Sequence, residues 1–404
     1  MPFVSSQRRG LLIGSAGLLI LLAGSPTDWA EEKPQAKATG PWALEALRKP
    51  PKVTVVEEGK TLTALYYEGE PCKEKPTRVF AYLARPEKVE GKLPAMVLVH
   101  GGGGTAFKEW AELWAKRGYV ALAMDLAGQG PDRKRLPDGG PAQDDDAKFG
   151  DVPVKDAWTY HAVAAVIRGV SLLADRADVD PQRIGITGIS WGGYLTCIVA
   201  GLDDRLKIAV PVYGCGFLHE DSVWVPTFEK MPEARRRAWV EQFDPSRYLA
   251  RARMPVLFVN GTNDFAYPLG SYRKSYRLVK DRTLCVTVNM PHGHRQGWAP
   301  VEIGLFVDQH LGKGKPLAKV EPVRRDGNRV EAKFRSEVPV ASAALHFTTD
   351  VGPWQKRKWQ TREARVEKDT IRAELPEARP LVYFLTLTDE RKATVSTEHE
   401  VLDR

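Results

Sequence analysis

Between residues 53 and 312 the chain alternates two textures. Short runs that are almost wholly apolar give way to longer stretches with apolar residues three and four apart. "LPAMVLV" (93–99), "YVALAMD" (119–125), "RIGIT" (183–187), "LKIAVPV" (206–212), "MPVLFVN" (254–260) and "TLCVTV" (283–288) are the apolar runs. Runs of that length read as strands buried on both faces. Between them, 106–117, 156–176, 191–202, 270–281 and 301–312 have helical spacing. Asp156 is placed to N-cap the second of these. Alternating strands and helices predict a doubly wound, mostly parallel α/β sheet, with helices on both faces through right-handed crossovers. Ahead of it, "KVTVVEEGKTLTALYYEGE" and "TRVFAYLARPE" read as two further strands, the second alternating apolar and polar positions. Residues 216–252 form a helical insert without strand character, and 127–155 a long loop rich in Gly, Pro and Asp.

The texture changes at "GKGKPLAK" (312–319). Residues 320–404 contain short strands punctuated by turn residues, which predicts a small all-β, sandwich-like domain. The expected organisation is an export signal (1–30), a polar leader (31–50), an α/β catalytic domain (51–312) and the β domain (320–404). Arg8 and Arg9 precede an apolar stretch, 10–24, too short for a comfortable membrane span. "RRGLL" resembles a twin-arginine export signal, so a periplasmic or extracellular location is expected. An uncleaved signal that anchors the protein is the alternative.

At 43% hydrophobic and 27% charged residues, the composition is that of a globular protein. The net charge of +8 includes no dense basic block, so nucleic acid is not an expected partner. The four cysteines (Cys72, Cys197, Cys215, Cys285) are widely spaced and give no metal signature. Cys197 and Cys215 lie in apolar segments and are expected as free core thiols.

Candidate chemistry starts at Gly188-Ile189-Ser190-Trp191-Gly192, between an apolar run and an apolar helix. A G-x-S-x-G in that setting is a nucleophile elbow. The serine takes strained backbone angles, and the glycines prevent collisions with the adjoining strand and helix. "VLVHGGGGT" supplies a glycine loop after another buried strand. An oxyanion hole needs two N–H donors, and Trp191 with Gly102 are expected, Gly103 being the alternative to Gly102. His100 is expected to anchor the loop.

An acid and a base follow at the ends of later strands, where open α/β sheets place their sites. Asp264 in "LFVNGTNDFAYP" is the expected acid, with Asn263 as the rival side chain. "TVNMPHGHRQGW" offers two histidines. His294, after Gly293, is expected as the base because it lies far enough past the strand to fold back toward the serine. His292 is the alternative. The order Ser…Asp…His is that of an α/β-hydrolase triad. Such a triad needs neither metal nor cofactor, and none is expected.

On these residues the segment from about 50 to 312 resembles the α/β-hydrolase superfamily. "DPQRIGITGISWGGYLT" is similar to the prolyl oligopeptidase and dienelactone hydrolase branch, and so is the "HGGGG" loop with the helix and strand after it. The resemblance implies Ser190, Asp264 and His294 as the triad. The chain has no room for the β-propeller of prolyl oligopeptidases, and it carries Ser where dienelactone hydrolases carry Cys. The whole arrangement resembles bacterial secreted acetylxylan esterases. That implies a serine carboxyl-ester hydrolase acting on a small acyl ester or an acylated carbohydrate. A small peptidase or amidase is the alternative, and a non-catalytic polysaccharide-binding protein a further one. Tyr267 and Trp298, near the acid and the base, are expected substrate contacts.

Overall fold

The computed structural model describes residues 39–403 except 89. The expected export signal lies outside the described residues, as do leader residues 31–38. The remaining leader is not loose. Trp42 and Leu47 are buried, and Trp42 Nε1 donates to the Tyr160 carbonyl at 2.9 Å. Two apolar side chains in a short polar segment suffice to dock it, with helix α1 (Leu44–Leu47) formed on the way.

The first sheet has nine strands. They are β1 (Val53–Glu58), β2 (Leu62–Glu68), β3 (Arg78–Ala84), β4 (Leu93–Val99), β5 (Val120–Met124), β6 (Val179–Ile189), β7 (Ile208–Val212), β8 (Val256–Gly261) and β9 (Arg282–Thr287). Their spatial order is β1-β2-β3-β5-β4-β6-β7-β8-β9. Strands β1, β2 and β3 pair antiparallel, and β3 meets β5 antiparallel. From β5 through β9 every pairing is parallel. The first predicted strand is in fact the hairpin β1–β2, because Gly59 and Lys60 turn the chain and Gly59 N donates to the Leu62 carbonyl.

The main flanking helices are α2 (Lys108–Lys116), α4 (Trp158–Ala174), α5 (Trp191–Leu202), α8 (Leu269–Arg277) and α10 (Val301–Leu311). Between them come α3 (Asp145–Phe149), then α6 (Val225–Glu229) and α7 (Glu233–Phe243) in the insert, and α9 (His294–Trp298). Asp156 does not cap α4. Ala157 occupies the cap position, and the Asp156 carboxylate accepts from the Lys73 N–H at 2.7 Å. All four cysteines are free thiols, and three of them are buried.

The C-terminal region is one antiparallel nine-stranded sheet: β10 (Lys319–Val320), β11 (Arg324–Asp326), β12 (Arg329–Arg335), β13 (Val340–Thr348), β14 (Gln360–Glu367), β15 (Thr370–Glu374), β16 (Leu381–Asp389), β17 (Thr394–Ser396) and β18 (Glu400–Leu402). It curls until β10 and β17 run near each other, so its two layers are halves of one near-barrel. Its β17 edge lies against β9. The Val286 N–H donates to Ser396 Oγ at 3.1 Å, and the Thr394 N–H to Glu302 Oε1 at 2.6 Å. Glu398 accepts from both Arg277 and Arg282, at 2.8 and 2.6 Å. The edge of the parallel sheet is thus covered rather than left open.

Candidate active site

Four strands of the parallel sheet deliver the site. β6 ends at Ile189 and α5 begins at Trp191, so Ser190 is the whole connection. It sits at φ 59°, ψ −119°. A non-glycine residue held there costs about 1–3 kcal/mol, sustained only where the surroundings enforce it. They do. Ser190 N donates to the Val212 carbonyl at 2.8 Å. A Cβ on Gly188 would run into the Gly192 carbonyl, and one on Gly192 into the Val99 carbonyl. The expected elbow geometry is therefore present, and its glycines are required by close backbone approach.

The structure differs from the sequence reading in which histidine meets the serine. His292, not His294, lies between the serine and the acid. His292 Nε2 is 2.9 Å from Ser190 Oγ, and His292 Nδ1 is 2.6 Å from Asp264 Oδ2. The carboxylate can only accept, so Nδ1 carries the proton and Nε2 is left to accept from the serine hydroxyl. The physical reason is a sharp return after β9. Asn289 adopts φ 55°, which turns the chain early enough for His292 to reach Ser190. Gly293 precedes α9, and His294, the first residue of that helix, meets the Gly101 N–H instead of the serine. The His292 ring is held between Tyr213, stacked at 4.5 Å, and Phe265 at 4.9 Å.

Asp264 is buried, 2% exposed, just beyond β8. Its Oδ1 accepts from the N–H groups of Ala266 and Tyr267 at 2.9 and 2.7 Å, which leaves Oδ2 for His292. Asn263, the rival, points elsewhere: its amide donates to the Arg357 carbonyl of the C-terminal region at 2.7 Å.

The glycine loop after β4 faces Ser190. A Cβ on Gly101 would sit 2.8 Å from Ser190 Cβ, and one on Gly102 would sit 3.2 Å from Trp191 Cδ1. Gly103 turns away at φ 66°, and its carbonyl accepts from Arg133 at 3.0 Å. Of the two expected loop glycines, Gly102 is thus the one that approaches the start of α5. The Trp191 N–H, in the first turn of α5, has no partner within the helix. His100 is buried, and burial pushes its pKa down to about 4. Its Nε2 accepts from the Leu126 N–H at 2.7 Å, so the proton on Nδ1 points at the Gly101 carbonyl, 2.7 Å away.

The expected substrate contacts fare differently. Tyr267 is fully buried behind the acid, its ring 5.3 Å from Trp224. The turn after Asp264 leaves Phe265 outside and sends Tyr267 inward, where it packs the core. Trp298 stacks on Trp110 at 5.3 Å and against Phe107 at 5.4 Å. It borders a groove of about 630 Å³ between α2 and α10. The aromatic that does stand open beside His292 is Phe265, 53% exposed. Sequence reasoning passed over it, although it directly follows the acid. The long 127–155 loop also enters the site: Phe149 packs on Trp191 at 5.9 Å, and the Lys148 ammonium lies 5.1 Å from the Trp191 ring centre.

Among the described residues, one group could offer three metal ligands within 4.8 Å of one another: Cys72, Asp156 and His161. It belongs to the β2–β3 turn and the start of α4 and contains none of the residues gathered around Ser190.

The family profile described as Acetyl xylan esterase (AXE1) matches residues 57–223. "Acetyl esterase Axe7A" of Xylanibacter ruminicola is 25% identical over 205 residues, 47% of this chain and 46% of that protein. "Uncharacterized peptidase YuxL" of Bacillus subtilis is 26% identical over 263 residues, 58% of this chain and 37% of that protein. The chain thus spans less than half the length of these relatives. The solved acetyl xylan esterase from Paenibacillus sp. R4 superposes with a TM-score of 0.54 at 24% identity, over 66% of this chain and 92% of that one. The chain has the α/β-hydrolase fold, and residues 57–223, which carry the elbow serine, resemble acetyl xylan esterases.

Proposed function

We propose that this protein is an exported serine carboxyl-ester hydrolase that removes small acyl groups, acetyl first among them, from carbohydrate esters. The observation that carries the reading is the continuous hydrogen-bonded line from Ser190 through His292 to Asp264. In this mechanism Ser190 Oγ attacks the ester carbonyl carbon while its proton passes to His292 Nε2. Asp264 holds the Nδ1–H tautomer and stabilises the imidazolium that forms. The charge on the tetrahedral oxygen is taken by the N–H groups of Trp191 and Gly102, at the positive end of α5. As the carbon–oxygen bond to the sugar breaks, His292 returns the proton to the leaving alkoxide. Water, deprotonated by the same nitrogen, then releases the acid from Ser190.

Acetate as the acyl group and carbohydrate as its carrier rest on the match to acetyl xylan esterases and on the open Phe265 face beside the base, since aromatic faces pack on sugar rings. Export rests on the Arg8-Arg9 pair and the apolar run behind it. The test is hydrolysis of p-nitrophenyl acetate, of longer acyl chains and of acetylated xylan, with Ser190→Ala as the blank. Acetate turnover lost by about 10⁴-fold or more in the variant is expected. Equal rates in both proteins would refute the proposal. The match to a peptidase-named relative favours a second reading, amide hydrolysis. It predicts that matched ester and amide substrates turn over at comparable rates.

A further inference from the structure

His294 is left without the role the sequence suggested, yet it is not idle. Its Nε2 accepts from the Gly101 N–H at 3.0 Å. The ring packs on Phe107 at 4.7 Å, and Phe107 in turn on Trp298. Gly101 is therefore gripped on both sides. Its N–H is bound by His294, while its carbonyl receives the His100 Nδ1–H at 2.7 Å and the Gly104 N–H at 3.2 Å. Space around this peptide is tight. A Cβ on Gly104 would lie 2.7 Å from His294 Nε2 and 2.6 Å from His100 Nδ1. Gly101 directly precedes Gly102, so the Gly101–Gly102 peptide plane sets where the Gly102 N–H points. An oxyanion donor acts only if its direction is fixed before charge develops.

We propose that His294 is a positioning residue that, by accepting the Gly101 N–H, holds the glycine loop so that the Gly102 N–H faces the tetrahedral oxygen formed at Ser190. The inference rests on the hydrolase reading above. Acceptance requires a neutral ring, and burial, reinforced by the nearby His100, pushes the His294 pKa down to about 4. His294 takes no proton in the reaction. It fixes a donor instead, so its loss is felt where charge on the oxygen is greatest, in the transition state.

The test compares His294→Leu with His294→Gln. The two side chains are similar in size, and only Gln retains an acceptor for the Gly101 N–H. Turnover of p-nitrophenyl acetate is measured alongside inhibition by a trifluoromethyl ketone, whose adduct with a serine carries the same oxyanion. The expected result for His294→Leu is a kcat lowered by about tenfold, KM within about twofold, and inhibitor affinity falling in parallel with kcat. His294→Gln should recover most of both. A kcat for His294→Leu within twofold of wild type would overturn the proposal, and so would equal losses in Leu and Gln. Ser190→Ala, run beside them, separates the layers. If it keeps activity, the hydrolase reading itself falls. If it is inactive while His294→Leu is unimpaired, only the positioning role falls.

Discussion

Among the described residues, the two sheets have nine strands each and opposite designs. In the first, strands β5, β7 and β8 are buried at every residue, and neighbours from β5 to β9 run parallel. Their carboxyl ends consequently share one edge, and the loops after β4, β6, β8 and β9 meet there. In the second, strands such as β12 alternate buried and exposed positions, and antiparallel hairpins send successive loops to opposite ends. Polar groups there form cross-strand pairs, as where His346 lies 2.9 Å from both Thr361 Oγ1 and Thr386 Oγ1. Parallel connectivity, more than residue content, decides where reactive side chains can gather.

Glycines in the two regions should respond most differently to substitution. Gly192→Ala pushes a Cβ into the Val99 carbonyl and forces apart the β4–α5 contact. A loss of about 3 kcal/mol or more in urea unfolding is expected, with activity at the blank level. Gly327→Ala, at φ 57° in the β11–β12 turn with open space around its Cβ, should cost only about 1 kcal/mol and leave activity intact. Equal costs would deny that backbone proximity, rather than left-handed φ, sets the elbow apart.

Acid should weaken both regions by one mechanism. His399 in the β region is buried, and burial together with Arg273, Arg277 and Arg357 pushes its pKa down to about 3. His100 in the hydrolase region is down at about 4. In the unfolded chain both return to about 6.5. Between these values the unfolded state binds protons that the folded state does not, so stability falls as pH drops from about 6.5 toward 3, and is complete above 6.5. Thermal unfolding against pH should show that slope, and His399→Leu should flatten it. An unchanged slope would mean that His399 is charged in the fold.

The smallest expected effect lies at Phe265. Phe265→Ala should leave p-nitrophenyl acetate turnover within about threefold and raise KM for acetylated xylan by about tenfold, the loss of one aromatic contact. Equal effects on both substrates would remove Phe265 from sugar recognition and make it a support for the His292 ring.

How much of this was legible beforehand follows from the range of each interaction. The parallel sheet, the elbow and Asp264 are written in contiguous residues: apolar runs, a five-residue motif, and a carboxylate just past a strand. The hairpin β1–β2 was hidden because its turn is marked by the single Gly59 between two stretches of strand formers. The docking of Trp42 was hidden because its partner, Tyr160, lies 118 residues away. The choice between His292 and His294 turned on a single positive φ at Asn289, which a sequence marks only weakly. Tyr267, expected as a substrate contact, is buried while Phe265, for which nothing was expected, stands open, for a similar reason: a tight turn fixes which of two nearby aromatics faces out.

Acetate-ester turnover of His292→Ala beside that of His294→Ala, each checked for folding by thermal unfolding, separates the roles of the two histidines. A loss of about 10⁴-fold or more is expected for His292→Ala and of about tenfold for His294→Ala. The reverse order, with His294→Ala inactive and His292→Ala active, would contradict that assignment.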